Sequence, residues 1–184
     1  MKFKKCSAII LHVVRRGEND RVLTVLTDRF GLLRIIAKGV RTIRSRRNYH
    51  IDLFNHVALE IQETDRALYL REITTIERHA GLARMPDRFA SACLMSSFIT
   101  RTLPFDTPQD ELFDLTLKTL TRLHDAEDTK EILLTYFLKA VRGMGLLPNL
   151  LTKNTLRREL FATLDTLDPQ FTLNARRTLG IFSS

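Results

Sequence analysis

The residues of this sequence best suited to chemistry are a run of cations between positions 34 and 47. That stretch holds six lysines and arginines and no acidic residue. They are Arg34, Lys38, Arg41, Arg44, Arg46 and Arg47. An arginine can donate to two phosphate oxygens at once, and its charge does not titrate away near neutral pH. Gly39 lets the chain turn out of a strand, so the later arginines are expected on a long loop. The run therefore predicts a surface that binds a polyanion, with an affinity that falls steeply as salt rises.

Aromatic residues follow the cations directly, at Tyr49, His50 and Phe54. An exposed ring beside a cationic track can stack an unpaired base, which is worth about 1–3 kcal/mol. Tyr49 joins the candidate site on this ground, while Phe54 is expected in the core.

The positive charge is concentrated in the first part of the chain. The formal net charge of the 184 residues is +8. Residues 1–80 contain 16 lysines and arginines against 9 acids, a net of +7, whereas residues 81–184 contain 13 against 12. This asymmetry assigns the polyanion partner to the first part.

The patterns typical of catalysis are missing from the sequence. There is no phosphate-cradling G-x-x-x-x-G-K-[ST], no H-E-x-x-H and no G-x-S-x-G. Cys6 and Cys93 lie far apart, and the five histidines form no set with metal-ligand spacing. We therefore predict a binding protein that is not an enzyme and that needs neither a cofactor nor a metal.

The first part reads as five short strands. Apolar residues dominate residues 3–16, alternate with polar ones in residues 21–27, and recur in residues 32–37, 57–61 and 68–73, with turn residues between these segments. Five strands in about 75 residues indicate a small barrel, of OB type or, alternatively, SH3-like.

The second part has the period of helices. A helix is expected from Pro86, a second from Thr107 and Pro108, and a third capped by Thr129, followed by weaker amphipathic segments. The expected fold is α+β, with an OB-like barrel domain over residues 1–80 and a helical bundle domain over residues 81–184.

Three stretches of the first part resemble the recombination mediator family RecO. They are the opening strand with its turn and second strand, residues 8–27, the motif Ala37-Lys38-Gly39-Val40-Arg41, and Arg44-Ser45 followed by Phe54. The resemblance covers about 55 residues in order. It implies an OB-fold followed by a helical domain, in agreement with the periodicity.

The resemblance implies an activity in DNA repair. It implies binding of single- and double-stranded DNA, annealing of complementary strands, and help in loading the recombinase. By match to the motif, Lys38, Arg41 and Arg44 would contact DNA. It also implies two protein partners, namely RecR and the acidic C-terminal tail of single-strand-binding protein.

The sequence departs from the family pattern in its second part. Many relatives carry a four-cysteine zinc site there, which two cysteines cannot form, so we predict no zinc. The helical domain is expected to be shortened. Lys130, Lys139 and Arg142 beside an apolar helix stripe are a candidate site for the acidic tail, and ordinary exposed helix charge is the alternative.

Two other functions fit a basic barrel beside a helical bundle. The chain could bind RNA, or it could be an adaptor whose helices bind proteins. The apolar stretch from Cys6 to Val14 is too short for a convincing signal peptide, so we expect a cytoplasmic, nucleoid-associated location.

Overall fold

The first part of the chain folds into a closed five-stranded barrel. The computed structural model describes residues 2–42, 45–147 and 153–180. The strands are β1 (Lys2–Arg16), β2 (Asp20–Thr27), β3 (Gly31–Ala37), β4 (His56–Glu63) and β5 (Leu68–Glu77). Their order around the barrel is β1-β2-β3-β5-β4, and every pair is antiparallel except β3 with β5. The OB-fold prediction is confirmed.

Alternating residues of the strands fill the interior of the barrel. Leu23 and Val25 of β2 pack inside against Leu33 and Ile35 of β3, because successive side chains of a strand point to opposite faces. Residues that are cross-strand partners share a face of the sheet. Three pairs between β2 and β3 lie on the outer wall of the barrel, namely Val22 with Ile36, Thr24 with Arg34, and Leu26 with Leu32.

The helical half covers only one end of that outer wall. Leu26 and Leu32 belong to a core shared with the helices, whereas Arg34 is exposed and Val22 and Ile36 are half-buried. The outer wall of β2 and β3 therefore changes from covered to open at the position of Arg34.

The second part contains five helices within the described residues. They are α1 (Pro86–Thr102), α2 (Asp110–His124), α3 (Thr129–Gly143), α4 (Lys153–Leu167) and α5 (Pro169–Leu179). Phe98 of α1 stacks edge-on against Tyr136 and Phe137 of α3 and lies against Phe171 of α5. This aromatic cluster makes α1 the centre of the bundle.

Two predicted helix starts are wrong. The cap of α3 is Asp128, whose carboxylate accepts from the main-chain N–H of Lys130, and Thr129 is already helical. Helix α2 begins at Asp110 and not at Thr107, because the segment before it is held against the barrel.

The contact between the two halves is close at the beginning of β3. Residues Leu32 and Phe105 form an isolated parallel bridge, and the N–H of Asp106 donates to the carbonyl of Leu32 at 3.0 Å. Gly31 has a φ of 68°, and a Cβ there would lie 1.7 Å from the carbonyl oxygen of Thr107. Only glycine fits this approach.

A single core crosses from the barrel to the helices. It joins Ile9, Leu11 and Leu26 of the strands to the apolar residues of α1, α2 and α3, and Ser96 of α1 donates to the carbonyl of Leu11 at 2.9 Å. A short 3-10 helix, Ala80–Arg84, lies between the last strand and α1. The division after residue 80 stays a prediction, and it separates strands from helices without separating their cores.

None of the helices in the described parts of the chain is long and apolar enough to cross a membrane.

Candidate nucleic-acid interface

The candidate interface is built on the open outer wall of β1, β2 and β3. One row across these strands is His12, Thr24 and Arg34, and the next row is Val14, Val22 and Ile36. Val14 is 47% exposed, and Lys38 follows β3 on the same side. The wall thus presents a small apolar centre with Arg34 and Lys38 projecting from it.

The motif Ala37-Lys38-Gly39-Val40-Arg41 holds Lys38 at the end of that wall. Gly39 has a φ of 64° and turns the chain, and its N–H donates to the carboxylate of Asp20 at 2.8 Å. Ala37 and Val40 are fully buried, whereas Lys38 is exposed. The turn therefore fixes the backbone on both sides of Lys38 and leaves its side chain in solvent.

Arg41 of the same motif grips the turn between β1 and β2. Its guanidinium donates to the carbonyls of Glu18 at 2.7 Å and Gly17 at 3.3 Å, and its main-chain N–H donates to the carbonyl of Asn19 at 3.0 Å. These hydrogen bonds join the loop after β3 to the turn between β1 and β2. They use only some of the N–H donors of the Arg41 guanidinium.

Arg47 is likewise committed to the backbone. Its guanidinium donates to the carbonyl of Lys38 at 2.9 Å and to that of Leu70 at 3.3 Å. It belongs to a 3-10 helix, Arg46–His50, where a long arginine loop was expected. That expectation is wrong for these residues, because Arg47 and the bond between His50 and Thr75 fasten the segment to β5.

The remaining predicted residues are exposed or lie outside the described residues. Arg46 is exposed, and Tyr49 is 73% exposed on the same 3-10 helix. Arg44 lies outside the described residues. Phe54 is 2% exposed, so its predicted place in the core is confirmed.

A basic cleft of about 630 Å³ opens beside Lys38, where β3 meets β5. Its lining includes residues that the sequence did not single out, namely Arg66, Tyr69 and Arg71. The ammonium of Lys38 lies 4.6 Å from the centre of the Tyr69 ring, a cation–π contact. Arg66 stands at the tip of the β4–β5 turn, which Thr64 closes through two bonds to the carbonyl of Ala67.

The exposed cations of this surface form no ion pairs with the part of the chain that the structure describes. Asp65 also lines the cleft, but it is exposed. Within residues 2–42, 45–147 and 153–180, no carboxylate comes within 4.0 Å of the charged groups of Arg34, Lys38, Arg66 or Arg71. We call these four residues the basic track.

The three cations proposed for partner binding do not share one cleft. Lys130 lines a cleft between the start of α1 and the end of α5, whereas Lys139 lines another between α2 and α3, together with Asp110 and Glu111. Arg142 is half-buried in the last turn of α3.

The described residues contain no prepared thiol nucleophile and no group of three or more His, Cys, Asp or Glu side chains placed to hold a metal. Burial raises the pKa of the Cys6 thiol to about 12 and also raises the pKa of Cys93. Both thiols are therefore protonated at neutral pH.

These features define a class of protein, in which an OB-fold with an open basic wall is joined through one core to a helical bundle. Two family profiles match the chain. The profile described as Recombination protein O N terminal matches residues 1–79, and the profile described as Recombination protein O C terminal matches residues 84–155. The chain belongs to the RecO family.

Curated relatives of this chain carry the name DNA repair protein RecO. The one from Syntrophobacter fumaroxidans is 31% identical over 82% of this chain and 60% of its own length. Those from Anaeromyxobacter dehalogenans and Trichodesmium erythraeum are 30% and 29% identical, over 79% and 68% of this chain and 58% and 44% of their own lengths. The chain thus spans roughly half the length of the curated relatives that it matches.

Proposed function

We propose that this chain is a non-catalytic recombination mediator of DNA repair. It binds single- and double-stranded DNA, anneals complementary strands and assists loading of the recombinase. Membership in the RecO family and the relatives' name, DNA repair protein, support the process. The observation that carries the DNA-binding proposal is the basic track, four exposed cations on an OB barrel without carboxylate partners in the described residues.

The cations of the basic track are suited to binding the phosphate backbone of DNA without sequence preference. Lysine and arginine contacts to phosphate release condensed counterions, which supplies affinity without reading bases. Tyr69 and Tyr49 offer rings on which unpaired bases can stack. By neutralising phosphates, the surface lowers the repulsion between two complementary strands, and this favours their annealing.

Strand annealing tests the proposal directly. Two complementary oligonucleotides carrying a donor and an acceptor dye are mixed with the protein, and energy transfer reports their pairing. We expect the quadruple variant Arg34→Gln, Lys38→Gln, Arg66→Gln, Arg71→Gln to lose the acceleration seen with the unchanged protein.

A matched control removes the same charge from the exposed surface of the helices. It carries Lys118→Gln, Arg122→Gln, Arg157→Gln and Arg177→Gln, four exposed positions. We expect it to anneal like the unchanged protein. If both variants lose annealing equally, net charge and not the basic track explains the activity, and the assignment of the site is wrong.

We further propose RecR and the acidic tail of single-strand-binding protein as partners, on the ground of family membership. Because Lys130 and Lys139 line separate clefts, a short acidic peptide would occupy one of them at a time. Measuring peptide affinity for Lys130→Gln and Lys139→Gln separately assigns the cleft, and an affinity unchanged in both variants contradicts the predicted site.

A further inference from the structure

Phe105, which belongs to the helical half, is an exposed ring next to the basic track. It lies on the segment between α1 and α2 and is 40% exposed. The guanidinium of Arg34 lies over its ring, 5.1 Å from the ring centre. Arg34 of β3 therefore meets an aromatic residue that the barrel itself does not supply.

The exposure of Phe105 is imposed by the backbone around it. The bridge between Leu32 and Phe105 and the bond from Asp106 to Leu32 hold the segment on the edge of the barrel. Asp106 adopts a φ of 58°, in the left-handed region that aspartate enters more readily than most residues other than glycine. The segment between α1 and α2 is thus fixed against the barrel with the Phe105 ring partly in water, where a ligand can reach the ring.

The pair formed by Arg34 and Phe105 repeats a pair found at the other end of the track. There, the ammonium of Lys38 lies over the ring of Tyr69 at 4.6 Å. Lys38 directly follows β3 and lies four residues after Arg34, so the Cα atoms of the two cations are about 13 Å apart at the rise of about 3.3 Å per residue of a strand. Each pair thus offers a cation for a phosphate and a ring for a base. This arrangement suits a single strand of DNA whose bases turn away from its backbone.

A cleft of about 440 Å³ with both apolar and polar lining lies next to Phe105, and a strand bound on the track could continue into it. It is lined by Arg34 and His12 from the barrel and by the hydroxyl-bearing Ser97 and Thr100 from α1. Hydroxyls and cations on opposite walls are suited to sugar and phosphate oxygens.

We propose that Phe105 is a base-stacking contact through which the helical half extends the single-stranded DNA track of the barrel. This inference rests on the proposed function, since it needs the basic track to bind DNA. Single-stranded DNA is the ligand because stacking on the ring requires a base that is not already stacked in a duplex. The continuity of the ring with the cations of β3 favours a nucleic acid over a peptide.

The chain contains no tryptophan, which makes a direct test possible. The substitution Phe105→Trp retains an aromatic ring and introduces the sole indole of the protein. Addition of an oligothymidylate is expected to lower its fluorescence, because a base would stack on the indole. Leu173→Trp, at a position of α5 that is 49% exposed, is the control and is expected to keep its fluorescence.

Binding of the same oligonucleotide is followed independently by the anisotropy of a dye on the DNA. We expect Phe105→Ala to weaken single-strand binding by about 5- to 150-fold, the loss corresponding to one stacked base. Affinity for a blunt duplex and the midpoint of urea unfolding are expected to stay unchanged.

The outcomes separate this inference from the proposed function. If the unchanged protein binds the oligonucleotide but the introduced indole is not quenched, the stacking contact is wrong while DNA binding stands. If the unchanged protein binds no DNA, both proposals fail. Quenching by an acidic peptide but not by the oligonucleotide would assign the ring to a protein partner and overturn the inference.

Discussion

The number of cations in the basic track predicts how steeply DNA binding weakens as salt rises. Each phosphate neutralised on a single strand contributes about 0.7 to the slope of log affinity against log salt. If each of the four exposed cations meets one phosphate, the slope is about −2.8. Raising salt from about 50 to about 200 mM should then weaken binding about 50-fold.

Removing two cations of the track should halve this dependence. For the double variant Arg66→Gln, Arg71→Gln, the slope falls to about −1.4, so the same change in salt weakens binding only about 7-fold. Both side chains are exposed, and substitutions of exposed residues cost about 0.5 kcal/mol or less in stability, so the variant is expected to remain folded.

The assay is the anisotropy of a labelled single-stranded oligonucleotide, titrated at several salt concentrations. Lys118→Gln, Arg122→Gln, which removes two exposed cations of α2, is expected to keep the full slope. A slope in Arg66→Gln, Arg71→Gln equal to that of the unchanged protein would refute the assignment of phosphate contacts to the cleft.

Three further predictions concern the residues that shape the interface. Arg47→Ala should lower the free energy of unfolding by about 1.5–3 kcal/mol, because its guanidinium bonds two carbonyls, whereas Arg46→Ala should change it by less than about 0.5 kcal/mol in urea titrations. Gly31→Ala should cost about 2–5 kcal/mol and Gly17→Ala only about 1–2 kcal/mol, since both have positive φ but only Gly31 meets backbone atoms; equal losses in calorimetry would contradict this. Burial lowers the pKa of His79, so the unfolded chain gains a proton below about pH 6.5 that the folded protein excludes. Stability should therefore fall as pH drops from 6.5, by at most about 1.4 kcal/mol per pH unit for this histidine, and a fall that is equally steep in His79→Gln would contradict the assignment.

The sequence predicts the parts of this protein that depend on local periodicity. Alternation over residues 21–27 places Leu23 and Val25 inside the barrel and Val22 and Thr24 on its outer wall, because the period of a strand fixes which side chains share a face. The cations at Arg34 and Lys38 are found on that outer wall for the same reason.

The sequence does not predict the contacts made between distant segments. Tyr69 and Arg71 reach Lys38 through the parallel pairing of β3 with β5, and nothing in either strand specifies that neighbour. Alternation around Leu70 was the available signal, because Leu70 is buried while Tyr69 before it is half-buried and Arg71 after it is exposed.

The sequence did not reveal the structural bonds of two arginines or the exposure of Phe105. Arg41 and Arg47 were predicted as DNA contacts. In the structure their guanidinium groups also donate hydrogen bonds to main-chain carbonyls. Phe105 follows the proline that ends α1, and an apolar residue in such a linker gives no sign of whether it is buried. Its exposure is determined by the approach of Gly31 to Thr107, a contact between the two halves.

The central claim is that DNA lies along the outer wall of β3, and the amide chemical shifts of the ¹⁵N-labelled protein test it most directly. On addition of a single-stranded oligonucleotide, we expect the largest changes at Arg34–Lys38, Thr64–Arg71 and Phe105. Changes concentrated instead on α4 and α5, or on the opposite barrel wall around Ala58 and Glu60, would contradict the account.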